Sequence, residues 1–327
     1  MPNIITHKIF AEEVLKKISK KDIEDIIERY HQIYYIGSNG PDFLFFQHAK
    51  PWEAMKSHTL NRLGSAMHAG KVNAFYEVAI REVKRQKNVE VKEMMMAYLF
   101  GHLCHWALDK TTHPYIFYRT GNCKGVSAGY HHRFESMMDT MMLEKYHNIN
   151  IKDYRSYEIC EYNESILKAI SRIYVPAAKE VYHVEVKVHD LRETLNSWYD
   201  VQKLLYDPNH VKYTILKGIE GVIRKPWAIS GNIVKSKIDD RYDVLNEEKR
   251  VWYHPCDDHI SSNESFLELF DKSIFTAISV IEKAYGCIEY DAGIDGVMDI
   301  LQDQAYDTGM AQGKQMQFFD IIYEEKA

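Results

Sequence analysis

Imidazole and carboxylate side chains crowd the stretch from residue 101 to residue 139: His102, His105, Asp109 and His113, then His131, His132, Glu135 and Asp139. Folding alone does not require such a density. On a helix, His105 and Asp109 stand one turn apart, and His102 and His113 share their stripe within about 80° of azimuth. His131 and Glu135 repeat the i, i+4 device in the second segment. Neutral imidazole nitrogens and carboxylate oxygens form the ligand set of zinc, and opposed helix faces are a known frame for multi-metal sites. Asp109, one turn after His105 and one before His113, is placed to bridge two ions. Paired metals of this kind activate water and neutralise charge at a phosphoester.

These side chains need helices to hold them, and the pattern of apolar residues supplies helices almost throughout. Helical spacing runs through Ile4–Ile18, Asp22–Tyr34, Leu60–Lys84, Val91–Tyr118 and Tyr130–Tyr146, with an end or a kink expected at His113–Pro114. Gly37, Gly40 and Pro41 stop the early pattern, and the chain from there to about Ser57 reads as a loop that presents Asp42. Further helices are expected over Glu164–Val181, Asp190–Leu205, Phe266–Tyr285 and Ile294–Ile322. Val184–Val188 alternates with period two, which is too little to make a sheet. Gly231–Asn263 is polar and poorly periodic, of the type that often covers a site. The expectation is an all-α fold, one helical domain over residues 1–327, with metal-site motifs in 1–150 and helical and irregular cover in 151–327.

Composition narrows the function classes. A net charge of −6 over 327 residues, with both signs mixed, leaves no basic footprint for duplex nucleic acid. The five cysteines are odd in number, widely spaced and without a Cys-x-x-Cys pair, so neither a disulfide framework nor a zinc ribbon is expected. No signal-peptide pattern follows Met1 and no long apolar run follows later, so a cytoplasmic protein without a transmembrane segment is expected. The methionines at 94–96, 137–138 and 141–142 read as core filler. His31, His48, His147, His183 and His210 read as ordinary surface or core residues.

Thr6–His7, Gly40–Pro41–Asp42, Leu63–Gly64 to His68, Gly101 through Asp109 to His113–Tyr115, and His131 to Glu135 together resemble the zinc-dependent phospholipase C family. That resemblance implies an all-helical fold related to the single-strand-specific zinc nucleases. It also implies a cofactor of two or three zinc ions and a metal-bound hydroxide that attacks a phosphodiester. Carried over, it places a first zinc on Asp42, an upstream histidine, His105 and Asp109, and a second on His113, His131 and Glu135. His68, within a helical pattern, is preferred over His58 as the upstream ligand. The family's third zinc would take His7 and Asp109 together with an N-terminal tryptophan, but this chain begins Met1–Pro2 and has no tryptophan before Trp52. Asp42 matches the general base, and Tyr115, Tyr118 and Arg119 are candidates to line the pocket. The implied partner is a phospholipid head group or a small phosphodiester. Two other readings stay open: a non-catalytic helical zinc protein, and a single-strand nuclease-like phosphodiesterase.

Overall fold

A helix of 32 residues, α6 (Val89–Thr120), is the axis of the fold, and 24 of its residues are buried from Met94 to Thr120. A helix apolar on all sides has to be surrounded by others. Around it pack α1 (Ile4–Lys17), α2 (Lys21–Arg29), α3 (His31–Gly37), α5 (Val72–Arg85), α7 (Val126–His147), α8 (Glu164–Tyr182) and α11 (Phe266–Glu289). The computed structural model describes residues 4–49, 53, 55–223, 227–235, 241–311 and 314–322. Within them lie also α4 (Thr59–Ala69), α9 (Val188–Leu205), α10 (Val211–Ile223), α12 (Asp295–Leu301) and a 3-10 turn at Asp42–Phe46. The one sheet among the described residues is a hairpin, β1 (Trp252–His254) antiparallel to β2 (Asp257–Ser262). The fold is all-α, as the periodicity implies.

Two close approaches set the site. At the crossing of α3 and α6, a Cβ on Gly101 would lie 2.1 Å from the Tyr34 carbonyl oxygen, so the two backbones touch. That contact brings the turn after α3 directly over the middle of α6. Within the turn, Gly40 has φ +50°, and a Cβ there would sit 2.2 Å from His105 Cδ2. Only glycine meets both demands at low cost, and Asp42 is thereby lowered onto His105.

Several expected elements differ, each for a local reason. Asp22–Tyr34 is two helices, because Tyr30 leaves helical geometry at φ −121°, ψ 39°. Leu60–Lys84 breaks at Gly70 and at Lys71, whose φ is +60°. Pro114 neither ends nor interrupts α6: it removes a single intrahelical donor, and burial on both sides of it offsets that loss. Residues 183–187 form no strand, and Val188 already begins α9. The last helix stops at Leu301, since Gln302 and Asp303 take positive φ of 50° and 54°. The described residues beyond it, 302–311 and 314–322, are irregular rather than helical to Ile322, and 312–313 of the expected helix lie outside the described residues. Residues 50–52 and 54 of the expected loop, and 236–240 of the expected excursion, lie outside the described residues. All five cysteines are free, and the methionines at 94–96, 137, 138 and 142 are buried in the core.

Candidate metal centre

Five structural pieces converge on one buried cluster. α1 supplies His7, the 3-10 turn Asp42, α4 His68, α6 His105, Asp109 and His113, and α7 His131 and Glu135. All eight are buried. Their ligand atoms fall into three groups, each within 4.8 Å: His7, Asp42 and His105; His68, His105 and Asp109; His113, His131 and Glu135. The first two share His105. Asp109 links all three, with Oδ1 3.3 Å from His7 Nε2, and Oδ2 3.0 Å from His105 Nε2 and 3.6 Å from His113 Nδ1. Asp42 Oδ1 lies 3.1 Å from His68 Nε2 and 3.5 Å from His105 Nε2. Glu135 Oε1 lies 3.1 Å from His131 Nε2 and 3.7 Å from His113 Nε2.

The outer ring nitrogens explain why the inner ones face one another. His68 Nδ1 donates to the Gly64 carbonyl at 2.8 Å, and His113 Nδ1 to the Tyr306 carbonyl at 3.2 Å. Thr120 spends its hydroxyl proton on the Ile116 carbonyl, so its oxygen accepts from His131 Nδ1 at 3.2 Å. With Nδ1 held as the donor, Nε2 is the nitrogen that frees its lone pair when the ring is neutral, and in each ring Nε2 faces a carboxylate of the cluster. His105 Nε2, Asp109 Oδ2 and Glu135 Oε2 are buried without a hydrogen bond. Burying such atoms unsatisfied is costly, and cations bound in the groups would satisfy them, one beside His105 and Asp109 and another beside Glu135.

Electrostatics follow from this crowding. Burial disfavours charge on His68, yet the hydrogen bond and charge of Asp42 outweigh it and push the imidazole up to about 9. His113 is likewise opposed by burial and carried up to about 10 by Asp109 and Glu135. His7 is also raised, burial again losing to Asp109. Burial works against ionised Asp109 and Glu135, but the imidazoles around them hold both well below the usual carboxylate range.

Of the two upstream histidines, His68 joins the cluster, whereas His58 Nδ1 meets Asn61 Oδ1 at 3.2 Å and its ring packs beside His48. His102 does not present its ring to the cluster as the helical stripe suggests. Its Nδ1 is 2.8 Å from Tyr76 Oη and its Nε2 3.1 Å from Tyr174 Oη, so tyrosines use both nitrogens. Tyr115, Tyr118 and Arg119 turn to the C-terminal half of the chain instead: Tyr115 Oη donates to the Val244 carbonyl, Tyr118 packs on Tyr253, and Arg119 pairs with Asp320 at 2.6 Å.

Two contributors escaped the sequence reading. Asp139 on α7 accepts from Thr6 N at 2.9 Å, Thr6 Oγ1 at 2.7 Å and Ile5 N at 3.4 Å. It caps the first turn of α1 from another helix and so holds His7, the next residue, in place. Residues 304–308 run across α4 and α6: Trp106 Nε1 donates to Gln304 O, Tyr306 N to His68 O, and His254 Nε2 to Thr308 O. The Tyr306 ring lies 5.3 Å from that of His68 and 5.5 Å from that of His105. Neither contributor follows from helical spacing, since Asp139 lies 133 residues from Thr6 and these contacts of residues 304–308 span 54 residues or more.

Comparison with known proteins adds one finding. Residues 6–184, more than half of the chain, match the family described as zinc dependent phospholipase C. No curated protein and no solved structure gives a match.

Proposed function

The chain belongs to the zinc-dependent phospholipase C family, and from that premise we propose that it hydrolyses phosphodiester bonds, with a phospholipid head group or a small phosphodiester as substrate. The observation that carries this reading is the orientation of His68, His113 and His131, whose Nε2 atoms each face a carboxylate while Nδ1 is engaged by an acceptor. Folding alone gains nothing from leaving His105 Nε2, Asp109 Oδ2 and Glu135 Oε2 buried and unsatisfied. One zinc would be held by Asp42, His68, His105 and Asp109, and a second by His113, His131 and Glu135. His7, beside Asp109, is available to a third. Bound there, zinc lowers the pKa of water toward about 7 and neutralises charge on phosphoryl oxygens.

The chain's own groups do the rest. Asp42 is the general base: Gly40 lets its turn descend onto His105, which puts Oδ1 3.5 Å from His105 Nε2 and 3.1 Å from His68 Nε2. Asp109 sets the spacing between positions by facing His7, His105 and His113 at once. Tyr76, Tyr174 and Tyr306 form a buried layer around His102 that excludes water behind His105.

The test is a comparison of substrates on zinc-supplied protein: a phosphatidylcholine micelle, bis(p-nitrophenyl) phosphate and a single-stranded oligonucleotide. The expected result is release of water-soluble phosphorylated head group from the lipid. Cleavage of the oligonucleotide alone would move the substrate to nucleic acid, and bound zinc with no turnover of any of the three would leave a structural centre.

A further inference from the structure

His102 lies one turn before His105 on α6 and belongs to none of the three metal groups. Its ring stands instead at the middle of a buried chain of hydroxyls. On one side Tyr76 Oη is 2.8 Å from Nδ1, and Tyr306 Oη is 3.0 Å from Tyr76 Oη. On the other, Tyr174 Oη is 3.1 Å from Nε2 and donates to the Gly40 carbonyl at 3.4 Å. Tyr76, His102, Tyr174 and Tyr306 are each no more than 2% exposed, so these groups have only one another to bond. Phe75, stacked 4.9 Å from the imidazole, fixes the plane of the ring between the two halves.

The ends of this chain are the two covers of the metal centre. Tyr306 touches three of the candidate ligands: its N–H donates to the His68 carbonyl at 3.1 Å, its carbonyl accepts from His113 Nδ1 at 3.2 Å, and its ring lies 5.5 Å from that of His105. Gly40 presses on the His105 ring and stands two residues before Asp42. Burial disfavours charge on His102, and a neutral imidazole donates from one nitrogen and accepts at the other. With the proton on Nε2 the bonds run in one sense: Tyr306 O–H to Tyr76 Oη, Tyr76 O–H to Nδ1, Nε2–H to Tyr174 Oη, and Tyr174 O–H to the Gly40 carbonyl. With the proton on Nδ1, Tyr174 has to donate to Nε2, and the Gly40 carbonyl loses that bond. One ring therefore links both covers.

We propose that His102 is a positioning residue that closes both covers on the metal centre, holding the Asp42 turn through Tyr174 and the Tyr306 segment through Tyr76. It touches neither metal nor substrate. The proposal deepens the zinc-centre reading and rests on it, but not on hydrolysis, since closure of the covers is measurable without metal or substrate.

The experiment joins hydrogen exchange on the metal-free full chain, resolved by peptide, to zinc competition against a chromophoric chelator. Tyr174→Phe is expected to speed exchange at residues 38–46 alone, Tyr306→Phe at 302–310 alone, and His102→Phe at both. His102→Gln, whose amide donates and accepts, should restore part of the protection. Tyr174→Phe should weaken one zinc ion about tenfold and His102→Phe both ions. Tyr115→Phe is the control: it removes an equally buried hydroxyl bond, to the Val244 carbonyl, and should lower the melting temperature with both covers and both affinities unchanged. If His102→Phe does not fold, the two single-hydroxyl variants decide the same question. Exchange at both covers unaltered by these substitutions, zinc affinity unaltered when the covers loosen, or the same loosening in Tyr115→Phe would overturn the proposal, as would a wild type that takes up no zinc. The expected exchange and affinity changes without turnover by the wild type would count against the hydrolase reading alone.

Discussion

Zinc has to displace protons to enter this cluster, and the number is legible from the geometry. In the metal-free protein His68 titrates at about 9 and His113 at about 10, so at pH 7 each is about 99% protonated or more. Both must be neutral to ligate. They belong to different groups of the centre, His68 with His105 and Asp109, His113 with His131 and Glu135. Each zinc therefore releases about one proton, and each apparent affinity rises about tenfold per pH unit from pH 6 to about 9. His7, also raised, adds to the release. Between pH 6 and 8 the gain is about a hundredfold per ion. The assay is competition against a chromophoric chelator at several pH values, corrected for the chelator's own protonation, with calorimetry in two buffers of different ionisation enthalpy to count protons. An affinity that does not change over this range, or a proton count near zero, would refute the reasoning. The same shifts fix the sign for stability without metal. A raised folded-state pKa stabilises fully below the ordinary value of 6.5 and is lost as pH rises through about 9 and 10. The melting temperature of chelated protein should fall between pH 7 and 10, while that of zinc-loaded protein holds.

Asp109→Asn removes a carboxylate that faces three imidazoles; zinc affinity is expected to drop at least about a hundredfold, with turnover falling alongside, and elemental analysis with a phosphodiester assay reads both. Gly40→Ala forces a Cβ against His105 at a positive φ, so a loss of about 1–3 kcal/mol in stability and a weaker metal centre should appear in denaturant unfolding and zinc titration. Asp139→Ala strips the acceptor from Thr6 N, Thr6 Oγ1 and Ile5 N; unfolding should show a cost of about 3 kcal/mol, and the zinc position next to His7 should empty first.

Much of the fold and of the cluster could be read from the chain because it depends on local spacing. His105, Asp109 and His113 sit on consecutive turns of α6, and His131 and Glu135 on consecutive turns of α7, so i, i+4 periodicity carries them. His7, Asp42 and His68 are brought in only by tertiary crossings; in the sequence the loop after Gly40–Pro41 pointed to Asp42, and the ligand roles of all three were reachable through the family resemblance alone. What stayed hidden is contact at long range. The turn at 302–303 that ends α12 and sends residues 304–308 across α4 and α6 depends on backbone groups finding acceptors such as the His68 carbonyl. His102 shows the limit of a stripe argument: it lies near His105 in azimuth, yet Tyr76 and Tyr174 hold both its nitrogens. α10 was missed because its apolar residues are not core, and a periodic pattern does not say which side water takes.

Metal stoichiometry joined to turnover decides whether this is a hydrolytic zinc centre. Protein purified without added zinc, then supplied with it, should carry two or three zinc ions per chain and hydrolyse bis(p-nitrophenyl) phosphate in a chelator-sensitive way. A chain that takes up no zinc when supplied with it, or that turns over the phosphodiester equally well in chelator, would contradict the account.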